Sequence, residues 1–480
     1  MRGEVARGFS RATAIATFAA VAAACATHPR YVAPSAPAAP AFKENANWRA
    51  AQPADTAIRG QWWEIFGDAA LNPLEEQIVV SNQTLKAAAA QYEQARALVR
   101  GARSGLYPQA NAAASIVRAQ QSGNRAISAF HDSYADFLLP ATASYEADVF
   151  GRVRGSIEAS RTAAQAVAGD VESVSLGLHA DLASDYFTLR GLDREREILD
   201  AAVAAFQTAL ELTQNRYRGG IASQADVAQA ETQLETTRAQ AVDVGIARSQ
   251  IEHAIAVLVG RTPSTFTIAS SPLTETPPDV PTGIPTDLLE RRPDIAAAER
   301  RVASANAQVG VANTAFYPLL TLSGSAGFES SSFGSWLANA SNFWSLGPQA
   351  LVTAFDAGRR RAVVEQARGA YEQTAATYQQ TVLTAFREVE DQLAALRVLE
   401  QEARIQADAV AASQRSLTLA TNRYRGGVAT YLEVIAAQSA ALANERAAVG
   451  ILVRRMVATV LLVRSLGGGW QASSLQQKNP

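Results

Sequence analysis

Apolar residues recur with a 4,3 spacing at Leu178, Leu182, Leu189, Leu192, Leu199, Val203, Phe206 and Leu210, and again at Val382, Phe386, Val389, Leu393 and Leu396. That period lays one stripe along a helix, and a stripe sustained this long reads as a coiled-coil element. Proline is absent between Pro140 and Pro263 and between Pro348 and Pro480. Proline breaks helix interiors, so both gaps permit unusually long helices. The pattern predicts long helices over 156–215 and 361–422, the first roughly 90 Å in length at about 1.5 Å per residue.

A different period lies between them. Phe137, Leu139, Ala141, Ala143 and Tyr145 alternate with Thr142, Ser144 and Glu146. Leu320, Leu322, Ala326 and Phe328 alternate with Thr321, Ser323 and Ser325, and Trp344, Leu346, Ala350, Val352 and Ala354 with Ser345, Gln349 and Thr353. Strands are predicted over 106–120, 136–149, 317–328 and 343–355; the first alternates poorly. One apolar and one polar face suits a half-buried sheet or a membrane barrel with a wet interior. Four strands cannot close a barrel, and lipid forbids exposed edges, so membrane strands here require several chains to share one barrel.

The chain is written twice. "LYPQANAAAS" (106–115) resembles "FYPLLTLSGS" (316–325), and "NRYRGGIAS" (215–223) returns 207 positions later as "NRYRGGVAT" (422–430). The expected organisation is a first repeat over 61–270 and a second over 271–470, each reading helix, strand pair, long helix, turn and returning helix. The remaining helices are predicted at about 74–104, 223–259, 294–315 and 430–465. The duplicated stretch has the chemistry of a helix stop and start. Arg216, Tyr217, Arg218 and Arg423, Tyr424, Arg425 place basic residues at negative helix ends. Gly219, Gly220, Gly426 and Gly427 supply the turn. Ser223 with Asp226, and Thr430 with Glu433, have capping-box spacing. No strand precedes these glycines and no Lys-Ser/Thr follows, so they are not read as a phosphate loop.

Composition narrows the function. The 480 residues carry a formal net charge of -2 with 18% charged residues, which argues against a nucleic-acid partner. The single cysteine, Cys25, and the scattered His28, His131, His179 and His253 offer no disulfide framework and no metal site. No cofactor and no enzyme activity are expected, because no motif places a nucleophile, base and pocket together. Residues 1–24 read as a signal peptide: Arg2, Arg7 and Arg11 precede an apolar run ending "VAAAC". Small residues before Cys25 suit lipidation there, with 25–60 as a Pro/Ala-rich linker and 471–480 as a C-terminal tail. Ala22 stands where a larger aliphatic residue is usual.

"HPRYVAP" (28–34), "WWEIFGDAALNPL" (62–74), "IEHAIAVLVGRTP" (251–263), "IPTDLLERRPDIAAAERRVASANAQVGVANTAFYP" (284–318) and "LGGGW" (466–470) occur in order. Together they resemble the TolC-like outer membrane factors of tripartite efflux systems, in the NodT-type lipoprotein branch. The resemblance implies an α+β membrane protein: a homotrimer whose four strands per chain form a 12-stranded outer-membrane β-barrel, continued by a long periplasmic α-helical barrel. It implies a passive exit duct for small molecules, working with a periplasmic membrane-fusion adaptor and an inner-membrane pump of the RND type. It also implies contact with outer-membrane lipid, and helix turns that form a closable periplasmic entrance and meet the adaptor. In that setting Tyr217, Tyr424 and the flanking arginines would bridge neighbouring helices, and Asp226 and Glu433 are candidate pore acids. Ala436 stands where relatives carry an acid. A type I secretion duct and a non-pore coiled-coil scaffold are the alternative readings.

Overall fold

A computed structural model describes residues 31–35, 41–45, 61–120, 122, 124, 133–280 and 291–470. The signal segment with Cys25, His28, His131 and the C-terminal tail lie outside them.

The two halves repeat element by element. The first contains α1 (Asn72–Ser81), α2 (Gln83–Ser104), β1 (Gln109–Ala112), β2 (Ser115–Ala119), β3 (Tyr134–Glu146), α3 (Arg152–Arg218) and α4 (Gln224–Leu258). The second contains α5 (Pro293–Thr314), β4 (Leu319–Ser330), β5 (Asn342–Leu351), α6 (Arg359–Arg425) and α7 (Tyr431–Ser465). Helices α3 and α6 each have 67 residues, so each spans about 100 Å. The returning helices α4 and α7 have 35 residues each, and α2 and α5 have 22 each.

Two elements differ from the sequence reading. The helix expected over 74–104 is broken at Asn82, whose backbone is extended. Its side-chain oxygen accepts from Leu85 N at 2.9 Å, starting α2, while its amide donates to Leu258 O at 2.8 Å. The break thus fastens the start of α2 to the end of α4. The strand expected over 106–120 is divided into β1 and β2, yet both pair with β3 in one continuous register. The interruption falls opposite Pro140, which has no N–H to give; Ala113 N still donates to Pro140 O at 3.0 Å. Physically this is one strand with a missing rung.

Along the helices the 4,3 stripe is the core. Leu182, Leu189, Leu199, Val382, Val389 and Leu393 are buried. Helices α2, α3, α5 and α6 lie side by side beneath the sheet, while α3–α4 and α6–α7 form the two hairpins beyond. Between these regions sits the largest apolar cluster. Trp62, Trp63, Phe66 and Leu71 pack there on Tyr186, Phe187, Val389, Leu393, Met456 and Val460. Among the described residues no helix is long and apolar enough to cross a membrane.

Candidate functional site in the sheet and at the helix tips

The sheet runs in the order β1/β2–β3–β4–β5, antiparallel throughout. The register aligns alternation across strands. Ala110, Ala112, Ile116, Leu139, Ala141, Ala143, Ala326, Phe328, Trp344 and Leu346 share one face; Asn111, Thr142, Ser144, Ser323, Ser325, Ser345 and Gln349 share the other. The apolar face has no covering layer: Trp344 is 76% and Leu346 69% exposed. Within one chain both outer strands, β1/β2 and β5, keep an unpaired edge. Aromatic residues mark the two ends of the sheet. Phe137, Phe333 and Trp336 cluster at one end, and Phe150 stacks on Tyr317 with ring centroids 4.9 Å apart at the other.

The opposite pole of the molecule carries the two duplicated turns, and both close by the same backbone bonds. Ile221 N donates to Arg216 O at 2.9 Å and Gly220 N to Tyr217 O at 2.9 Å. Val428 N donates to Arg423 O at 3.1 Å and Gly427 N to Tyr424 O at 3.0 Å. The left-handed residue is Gly220 in one turn and Gly427 in the other, at φ +73 and +76. Gly219 and Gly426, one position earlier, are helical caps without positive φ.

The returning helices begin differently. Ser223 and Asp226 form a full capping box, Asp226 N to Ser223 Oγ at 3.2 Å and Ser223 N to Asp226 Oδ2 at 2.9 Å. Thr430 makes no side-chain cap, contrary to its spacing with Glu433. The longer Glu433 side chain instead pairs with Arg423 at 3.4 Å, across the turn. Both candidate pore acids are therefore engaged within their own chain.

The tips also differ in how their tyrosines sit. Tyr424 is 6% exposed, whereas Tyr217 is 46% exposed. Arg216 of the first tip donates to Tyr424 O at 2.6 Å, and its guanidinium carbon lies 4.5 Å from the Tyr424 ring centroid. Tyr424 also approaches Thr213 Oγ1 at 3.4 Å and packs against Tyr431. Burial, with Tyr424 beside it, pushes the Tyr431 hydroxyl up to about 12, so it stays neutral. Arg218 donates to Asn215 in its own turn, while Arg425 is exposed with no partner among the described residues. Arg216 and Tyr424 are thus joined; Tyr217, Arg218 and Arg425 are not part of that contact.

The comparisons with known proteins bear on this pair of poles. A match to the family described as outer membrane efflux protein covers residues 74–261 and 284–468. The chain belongs to the outer membrane efflux protein family. The antibiotic efflux pump outer membrane protein ArpC of Pseudomonas putida is 30% identical over 461 residues, 95% of each chain. The outer membrane protein OprJ of Pseudomonas aeruginosa is 32% identical over 454 residues, 93% of each. The solved outer-membrane channel OprN superposes with a TM-score of 0.85 at 30% identity, covering 93% of this chain and 100% of that one. This outer membrane efflux protein therefore has the TolC-like channel fold, and it is the outer-membrane component of an efflux pump, with its long helices on the periplasmic side. A coiled-coil scaffold without a pore is set aside by the same matches.

Two joints in this efflux protein escaped the sequence reading. Arg292, within "LLERRPD", is buried and donates to Glu388 at 2.8 Å, Ser465 O at 3.0 Å and Asp294 at 2.7 Å, tying α5, α6 and the end of α7 together. The motif could be quoted from sequence, but its three acceptors lie far apart along the chain. Glu75 and His179 form a buried pair, Oε2 to Nδ1 2.7 Å, with Trp63 stacked on the imidazole at 4.5 Å. Burial pushes the Glu75 carboxyl up to about 9 and the imidazole down to about 4, so both groups are neutral between those limits. Both joints link elements that are distant in sequence.

Proposed function

We propose that three copies of this chain close into one barrel and form the exit duct of a tripartite pump. The observation that carries this is the sheet: an uncovered apolar face, a polar opposite face and two unpaired edges in one chain. Unpaired backbone groups are not tolerated in lipid. Joining the β1/β2 edge of one copy to the β5 edge of the next gives both edges a partner strand, and three copies give twelve strands with a polar lumen. The helices then continue the wall into the periplasm. The six tips line its mouth, where a membrane-fusion adaptor and an RND-type inner-membrane pump deliver cargo.

The cargo class follows the relatives, named for efflux of antibiotics and toluene: small organic compounds, passed without chemical change. At the mouth, the Arg216–Tyr424 contact holds the two hairpins of one chain together, and opening must separate or carry it. The exposed Tyr217 and Arg425 are then available to a neighbouring chain or to the adaptor.

A lipid on Cys25 fits the same placement. Tyr31 donates to Glu299 at 2.6 Å and packs with Tyr371 and Ala375 of α6. Glu390 accepts from Lys43 N at 2.6 Å and Glu44 N at 3.0 Å, and Arg397 donates to Glu44 at 2.7 Å. Rising residue number thus runs along α6 away from the sheet. Six residues reach about 20 Å, and Tyr371 lies about 18 Å along α6 from its sheet-proximal end. Cys25 can therefore reach the base of the sheet.

The test is the mass of the purified protein in detergent and its migration with and without heating. A particle of three 50.8 kDa chains that dissociates on boiling is expected. A monomer or an even-numbered assembly would refute the closure.

A further inference from the structure

Where sheet meets helices, this chain concentrates arginine. Helix α3 opens with Arg152 and Arg154, α6 with Arg359, Arg360 and Arg361, and α2 ends near Arg100 and Arg103. Neither long helix has an acid in its first turn. Helix starts favour acids, so this choice runs against the helix dipole and asks for a compensating anion. Part of the compensation is internal. Arg152 pairs with Glu146 at the end of β3, and Arg154 with Asp148 at 3.1 Å and Arg360 with Asp356 at 2.6 Å, both acids of the strand-to-helix links. The side chains of Arg100, Arg359 and Arg361 are exposed and have no hydrogen bond or ion pair among the described residues.

Immediately on the sheet side of these cations lies an uncovered apolar belt. Tyr107, Phe316, Val352 and Phe355 are all exposed, Phe355 to 86%. Tyr107 is four residues past Arg103, and Phe355 four before Arg359. Arg360 also lies over the Phe316 ring at 5.3 Å, fixing the boundary between the two zones. An apolar, aromatic-rich belt followed within one turn by cations is the profile of a bilayer surface crossed from hydrocarbon to headgroup. Guanidinium groups match phosphate oxygens in geometry as well as charge.

From this juxtaposition we infer that Arg100, Arg359 and Arg361 form a docking collar for anionic phospholipid in the leaflet that faces the helices. A phospholipid is favoured over free phosphate because the belt beside the collar receives acyl chains. The collar would set how deep the barrel sits and hold the helices upright beneath it. The inference rests on the membrane placement of the sheet, and the test separates the two.

The full-length protein is placed in nanodiscs of phosphatidylcholine alone or with about one third phosphatidylglycerol, and its thermal midpoint is read. The wild type is expected to gain several degrees from phosphatidylglycerol. The R100Q/R359Q/R361Q variant should lose that gain while keeping its midpoint in phosphatidylcholine, and the corresponding triple lysine variant should keep most of it. Absence of the gain in wild type, its persistence in the glutamine variant, or its reproduction by inorganic phosphate in phosphatidylcholine discs would each overturn the inference. If the glutamine variant does not assemble, native mass spectrometry of the wild type decides. Enrichment of retained phosphatidylglycerol supports the collar, and equal retention of both lipids overturns it. Conductance of the wild type in both lipids reports separately on whether the barrel forms at all.

Discussion

Gly467 packs against the main-chain carbonyl of Arg291 so closely that a methyl group on it would overlap the oxygen. Gly260, its counterpart 207 positions earlier, faces Ser81 O in the same way, with a built methyl only 2.5 Å away. The duplicated chain therefore uses one joint twice. The glycine ending a returning helix receives the chain that enters α2 or α5, and a side chain there (Asn82 or Arg292) bonds a last carbonyl of that helix. Gly467→Ala is expected to cost on the order of 2–4 kcal/mol, since both positive φ and overlap oppose it. Gly358→Ala has φ +90 but open space, and should cost only about 1 kcal/mol. Thermal midpoints of the two variants check this; equal losses would remove the overlap argument.

At the tips, Arg216→Ala and Tyr424→Ala should each raise the conductance of the isolated channel, and the double variant should raise it little further. A half-buried cation–ring contact with an added hydrogen bond supports a coupling of about 1–2 kcal/mol. Tyr217→Ala, outside this contact, should change conductance less. Planar-bilayer recording compares the four channels, and a larger effect at Tyr217 would reassign the role.

The unequal starts of α4 and α7 give a local prediction. Ser223→Ala removes a capping box and should cost about 1 kcal/mol, seen as faster hydrogen exchange in the first turn of α4. Thr430→Ala should leave the first turn of α7 nearly unchanged, because Glu433 is already turned toward Arg423.

The Glu75–His179 pair makes stability depend on pH in both directions. A carboxyl raised to about 9 stabilises fully below the ordinary carboxylate range and loses that contribution as pH rises toward 9. An imidazole lowered to about 4 contributes above its ordinary value near 6.5, and that contribution fades as pH falls toward 4. Thermal midpoints should therefore decline on both sides of a maximum. Glu75→Gln should flatten the alkaline limb and His179→Gln the acidic one. Limbs unchanged in both variants would place the titration elsewhere.

Much of this was legible in the chain because it is written in local periods. The 4,3 stripe, the proline gaps and the alternation around Ala141 and Ala326 each state a local geometry, and the doubled "NRYRGG" states a turn. What was not legible depends on residues far apart in sequence. Asn82 is itself a residue that favours helix starts, but the partner that fastens the break, Leu258, lies 176 positions away. Thr430 and Glu433 have the same spacing as Ser223 and Asp226, but the extra methylene of glutamate lets Arg423 compete for it. Tyr217 and Tyr424 are identical in local sequence; only the neighbouring hairpin buries one of them.

The central claim is that this chain forms a water-filled duct, and single-channel recording of the purified full-length protein in planar bilayers tests it most directly. Discrete, long-lived conductance steps from a heat-dissociable three-chain particle are predicted, with larger steps for Tyr424→Ala. A three-chain particle that inserts into the bilayer but passes no current, in wild type and in Tyr424→Ala alike, would contradict it.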